Sequence, residues 1–107
     1  MKTAIITGAS KGIGAVIAKR LNELNYNLVL NYRSNTALIE ELIDNFTNKD
    51  TKNIIVKCDI SLYEDAKKLI DEAYNNFGTV DVLINNAGIT KDNILPLMTE
   101  EEFNEVI

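Results

Sequence analysis

Histidine is absent from this sequence, cysteine and proline occur once each, and no apolar run approaches the length that crosses a bilayer. Cys58 therefore has no partner for an internal disulfide, and no histidine or second cysteine with which to hold a metal. A reducing compartment is expected and a metal centre is not. Positive charge is also scarce. Eleven basic against sixteen acidic residues, a net charge of −5, leave no basic stripe with interleaved aromatics to neutralise a phosphate backbone, so no nucleic-acid partner is expected. Residues 1–6 carry one lysine and few apolar side chains, far short of the apolar region of a secretion signal. The expectation is a cytoplasmic protein with no membrane association.

What the chain does have is 46% hydrophobic and 25% charged residues over 107 positions, the composition of one ordinary globular domain at most. Short β-branched runs alternate with longer stretches of helical period, the pattern of βαβ units. Thr3-Ala4-Ile5-Ile6 is continuously apolar, as a strand covered on both faces should be. From Gly12, the residues Ile13, Val16, Ile17, Leu21 and Leu24 recur at helical spacing and predict the sheet-facing side of a first helix. Leu28-Val29-Leu30 predicts a second strand, Leu38 to Phe46 a second helix, and Asn53 to Val56 a third strand.

Ser61 with Glu64 reads as a capping box opening a third helix that carries Leu62, Ala66, Leu69, Ile70, Ala73 and Phe77 and stops at Gly78. Val80 to Ile84 predicts a fourth strand, with an unpaired edge exposing Val80, Val82 and Ile84. Thr99 with Glu102 reads as a second capping box, for a helix that has just begun at Ile107. Right-handed crossovers between parallel strands then give an α/β fold, the amino-terminal part of a doubly wound parallel sheet of the Rossmann type, in strand order 3-2-1-4. Two further strands would complete it, so residues 1–107 read as a partial dinucleotide-binding domain.

The chemistry gathers where the first strand turns into the first helix, at Thr7-Gly8-Ala9-Ser10-Lys11-Gly12-Ile13-Gly14. Gly8 permits a tight turn, Gly12 lets the backbone approach a pyrophosphate, and Gly14 allows close helix–strand packing. The helix amino end then offers unpaired N–H groups and a positive dipole to the phosphates. A glycine-rich turn alone is weak support for nucleotide binding, but the strand before it and the amphipathic helix after it are the context that such a site needs.

This spacing of glycines after Thr7, together with Asn85-Asn86-Ala87-Gly88 directly after the fourth strand, resembles the short-chain dehydrogenase/reductase family, and the likeness runs over all 107 residues. Asn86, Ala87 and Gly88 stand at the carboxyl end of a strand beside the first, where small residues leave room for a ribose. The resemblance also implies that Asp59 and Ile60, after the third strand, lie against an adenine.

Charge argues for the cofactor. Asn31-Tyr32-Arg33-Ser34 has no acid where an NAD enzyme usually places one, while Arg33 and Lys11 offer cations to a 2′-phosphate, so NADPH (NADP) is expected over NADH. The alternative is that both cations are solvated surface residues.

The run from Ile89 to Phe103 is similar to the branch of the family that reduces 3-oxoacyl thioesters on acyl carrier protein in fatty acid synthesis, and acetoacetyl-CoA reductases and other sugar or alcohol dehydrogenases share much of it. The resemblance implies such a substrate and carrier as partners, and a homotetramer, for a full-length form about twice as long. It also implies proton transfer by a Tyr and a Lys four residues later, with a Ser and an Asn, at positions beyond this stretch. Tyr26, Tyr63 and Tyr74 fall on helices or turns and Tyr32 on the cofactor rim, so no catalytic residue is assigned and the chain alone is expected to be inactive.

Two readings stay open: an oxidoreductase of which this is the cofactor-binding half, or a non-catalytic nucleotide-binding or interaction module that works at this length. A methyltransferase of related topology would want an acid after the second strand and would not need Asn85-Asn86-Ala87-Gly88.

Overall fold

Continuously apolar strands need cover on both sides, and that requirement organises the chain. The computed structural model describes residues 1–10, 12–34, 36–86 and, as a strand pairing only, 98–99. The described order is β1 (Thr3–Thr7), α1 (Gly12–Glu23), β2 (Asn27–Tyr32), α2 (Thr36–Asp44), β3 (Asn53–Lys57), α3 (Tyr63–Phe77), β4 (Val82–Asn85) and β5 (Met98–Thr99). The sheet runs β3-β2-β1-β4-β5, parallel through β4 as expected, with β5 added antiparallel.

Side chains alternate between two cores. Ala4 and Ile6 of β1 join Leu28 and Leu30 of β2 beneath α1 and α2, whereas Ile5 and Val29 face the cluster that holds Leu69 and Ala73 of α3. Ile5, Ile6, Leu28 and Leu30 have no exposed surface, and each such burial is worth about 1.5–3 kcal/mol. Among the described residues, no helix is long and apolar enough to cross a membrane.

Four expectations are corrected. Helix α1 does not bury the stripe of large apolar residues: Ile13 and Val16 are 68% and 67% exposed and Leu24 is also exposed, while Gly14, Ala18 and Asn22 form the buried line. Small residues at that i, i+4 spacing let the helix axis approach the sheet, and Ala15, Ile17 and Leu21 fill the flanks. The Ser61–Glu64 capping box is not formed, because Leu62 occupies the N-cap of α3 and makes no side-chain cap bond. The Ser61 amide and hydroxyl instead donate to Asp59 Oδ1, at 3.0 and 2.6 Å.

The predicted open edge at β4 is also different. Val80 is fully buried and precedes the strand, Val82 and Ile84 pack against the α1–α2 core, and Val82 and Leu83 pair with Thr99 and Met98 of β5. Thr99 thus lies in a strand, while Glu102 of the supposed second capping box lies outside the described residues.

Helix ends follow local chemistry. Asn25 takes a left-handed φ of 69° after α1, with the Asn25 amide donating to Asn22 O and the Tyr26 amide to Leu21 O, a Schellman closure. Gly78 ends α3 as expected, its amide donating to Tyr74 O.

Candidate functional site

Parallel strands deliver their following loops to one edge of the sheet, so the turns after β1, β2, β3 and β4 converge at its carboxyl end. The first and last of these are tied together. Asn86 donates its backbone N–H to Thr7 Oγ1 at 2.8 Å and its side-chain Nδ2 to Gly8 O at 3.1 Å, and the Thr7 hydroxyl reaches Asn85 Oδ1 at 3.1 Å. Two sequence motifs 78 positions apart thereby form one wall.

Helix α1 starts directly behind that wall. Gly12 has φ +62°, and among the described residues a Cβ built there meets nothing within 4 Å, so on that side the backbone at the head of the helix is open. Gly14 is the opposite case: a Cβ would collide with the Gly8 carbonyl oxygen and lie 2.7 Å from Asn86 Nδ2 and 3.1 Å from Ala9 Cα. Its close packing is against the turn and the second motif. The first-turn amides of a helix have no intrahelical acceptors, and with the helix dipole they suit an anion approaching an unobstructed glycine. The open face at Gly12 is the feature that fits a dinucleotide pyrophosphate.

The predicted residues divide by location. Gly8, Ser10, Gly12, Ile13 and Gly14 are in or behind the turn, with Gly12 and Ile13 exposed and Ser10 half-buried. Ala9 is fully buried in the α1–α2 core, and its amide donates to Asn31 O at 3.1 Å. Lys11, Ala87 and Gly88 lie outside the described residues.

At the other side of the crevice, Arg33 is 82% exposed and places its guanidinium 3.8 Å from Asp59 Oδ2. Asp59 is further held by its own amide, which donates to Asp65 Oδ2 at 2.9 Å. The Ser61 hydroxyl and then the Ser61 amide keep the Asp59 carboxyl below the usual carboxylate range, with Arg33 adding less. Ile60 is half-buried and packs against the α3-side core.

Asn31 is a residue that the sequence reading missed. It is 2% exposed, accepts the Gly8 N–H on Oδ1 at 3.2 Å, and directs Nδ2 at Val56 O, Cys58 O and Cys58 Sγ, at 3.3, 3.2 and 3.1 Å. Its only sequence signal is a polar side chain inside an otherwise apolar strand. Burial, and secondarily the nearby Asp65 charge, push the Cys58 thiol above its ordinary value. Tyr63 and Lys67 do carry the Tyr-to-Lys spacing that the resemblance links to proton transfer, but both are exposed near the start of α3, Tyr63 at 77%. Nothing described there adds a substrate site.

Comparison with known proteins agrees with this architecture. The family described as short chain dehydrogenase matches residues 2–107. The 3-oxoacyl-[acyl-carrier-protein] reductase FabG of Staphylococcus epidermidis is 41% identical over 99% of this chain and 43% of its own length. Glucose 1-dehydrogenase 2 of Bacillus subtilis is 38% identical over 99% of this chain and 42% of its own. Among solved structures, an alcohol dehydrogenase from Thermococcus sibiricus complexed with 5-hydroxy-NADP superimposes with a TM-score of 0.74 at 33% identity, covering 98% of this chain and 45% of that one. A short-chain dehydrogenase/reductase from Serratia marcescens gives 0.76 at 28% identity, over 88% and 40%. This chain thus spans less than half the length of the relatives it matches, and over that span it belongs to the short-chain dehydrogenase family.

Proposed function

We propose that this chain supplies the NADPH-binding half of a cytoplasmic reductase acting on 3-oxoacyl thioesters carried by acyl carrier protein. The observation that carries the cofactor reading is the joined wall of Thr7, Gly8 and Asn86 beside the open amino end of α1 at Gly12. In this reading Gly8, Ser10, Lys11, Gly12, Ile13 and Gly14 form the pyrophosphate turn, with Ala9 contributing from beneath. Asn86, Ala87 and Gly88 flank the ribose, Asp59 and Ile60 flank the adenine, and Arg33 with Lys11 meets the 2′-phosphate. The NADP derivative bound to the Thermococcus relative and the reductase activity for which the Staphylococcus relative is named support the cofactor and the substrate class.

When bound, NADPH supplies a hydride. This chain's part is to hold the nucleotide: the first-turn amides of α1 meet phosphate, and the exposed Arg33 supplies a planar pair of donors to a 2′-phosphate, at the expense of its loose pairing with Asp59. Proton transfer and assembly into a tetramer belong to the complete enzyme.

The test is a calorimetric titration of the chain with NADP⁺ and with NAD⁺. NADP⁺ is expected to bind at least about tenfold more tightly, the scale of one charge-assisted contact. Absence of binding, or a preference for NAD⁺, overturns the cofactor reading. The intact product of the gene, assayed with NADPH and a 3-oxoacyl thioester, is expected to oxidise NADPH, and failure to do so overturns the substrate class.

A further inference from the structure

Asn31 is placed where a single side chain reaches two loops of the crevice, the turn after β1 and the exit of β3. The orientation of its carboxamide follows from its partners: the Gly8 amide can only donate and so faces Oδ1, while the carbonyls of Val56 and Cys58 can only accept and so face Nδ2. Its backbone carbonyl takes the next amide of the turn, that of Ala9. Two consecutive amides of the glycine turn therefore end on one residue. A phosphate must then be met further along, at the first turn of α1. On the other side, the Cys58 carbonyl gripped by Nδ2 belongs to the residue directly before Asp59.

Thus the turn after β1 and the exit of β3, which lie on either side of β2 in the sheet, are both referenced to the same buried group. We propose that Asn31 is a positioning residue for the dinucleotide: its carboxamide sets the spacing between the phosphate-binding turn at Gly8 and the adenine wall at Asp59, without itself touching the nucleotide. The proposal rests on reading the crevice as an NADPH site.

A merely structural asparagine provides the control, and the fold contains one. Asn22 is also fully buried, and its Nδ2 donates to Asn48 O and Thr51 Oγ1, at 2.9 and 3.0 Å, at the far end of α1 from the crevice. The test is calorimetric titration of the full chain with NADP⁺ in three forms, unsubstituted, Asn31→Leu and Asn22→Leu, each well below its unfolding midpoint. Both substitutions are expected to lower that midpoint. Only Asn31→Leu is expected to weaken NADP⁺ binding, by about tenfold or more, with Asn22→Leu within about twofold of the parent.

Unchanged affinity in Asn31→Leu, or equal losses in both variants, overturns the positioning role and leaves the nucleotide reading standing. No binding by the unsubstituted chain removes both. Should Asn31→Leu fail to fold, Asn31→Ser keeps a hydroxyl that is too short to reach both sides at once, and a loss of about fivefold is expected. Amide exchange on the unsubstituted chain needs no variant: Gly8 and Ala9 should be protected with and without NADP⁺, and fast exchange at Gly8 overturns the proposal.

Discussion

The two ends of this sheet use the same side-chain hydrogen bonding for opposite purposes. At the amino end, side chains latch the structure shut: Asn22 holds Asn48 and Thr51, Asn27 Oδ1 accepts the Lys52 amide, and Asp81 Oδ2 accepts the Thr3 amide. At the carboxyl end, Thr7, Asn31 and Asn86 tie loops to one another but, among the described residues, leave the head of α1 open on the Gly12 side. A buried carboxamide closes one end and holds the other end open. The contrast separates stability from binding within one small fold.

The sharpest way to break the comparison is at Gly14, where both purposes meet. Gly14→Ala places a methyl against the backbone oxygen of Gly8, an atom that cannot move without shifting the turn. A loss of about 3 kcal/mol is expected in denaturant unfolding, at the upper end of overpacking costs, together with loss of NADP⁺ binding. At the closed end, Asn22→Leu should cost about 2 kcal/mol by the same measurement, because it strands the Asn48 amide that now donates to Asn22 Oδ1. Binding there should stay unchanged.

Arg33→Ala should show the reverse. The Arg33–Asp59 pair spans 3.8 Å at an exposed site, so the unfolding midpoint should barely move, while the preference for NADP⁺ over NAD⁺ in paired titrations should fall by about tenfold. The smallest effect concerns Cys58. It is 7% exposed and its pKa is raised, so the neutral thiol is favoured in the folded protein, and any stabilisation linked to it is lost as pH rises above the ordinary thiol range. Alkylation at pH 8 should be slow, becoming fast once denaturant unfolds the chain, and equal rates in the two states would place the thiol outside the core.

Much of this was legible along the chain. The continuous apolar run at Thr3 to Ile6 specifies a strand covered on both faces, and the alternation of strands with helices specifies parallel crossovers and the order of the first four strands. The glycine turn and Asn85-Asn86 were visible as motifs because each is short and contiguous. The reading of α1 failed at Ile13 and Val16 because periodicity marks where large apolar residues recur, not how closely the helix can approach. Gly14 and Ala18 decide that approach.

Sequence by itself therefore determined the elements, their parallel order and the turn that opens the crevice, since these follow from local periodicity and from glycines at a strand-to-helix junction. Only the tertiary structure decided that Asp59 rather than Ser61 organises the entry to α3, that Asn86 grips the Gly8 carbonyl, and that Asn31 bridges the turn after β1 and the exit of β3. Each of those is a hydrogen bond whose partner is chosen by folded geometry. A polar residue announces that it needs a partner when buried, but its position in the chain does not say which one it will meet.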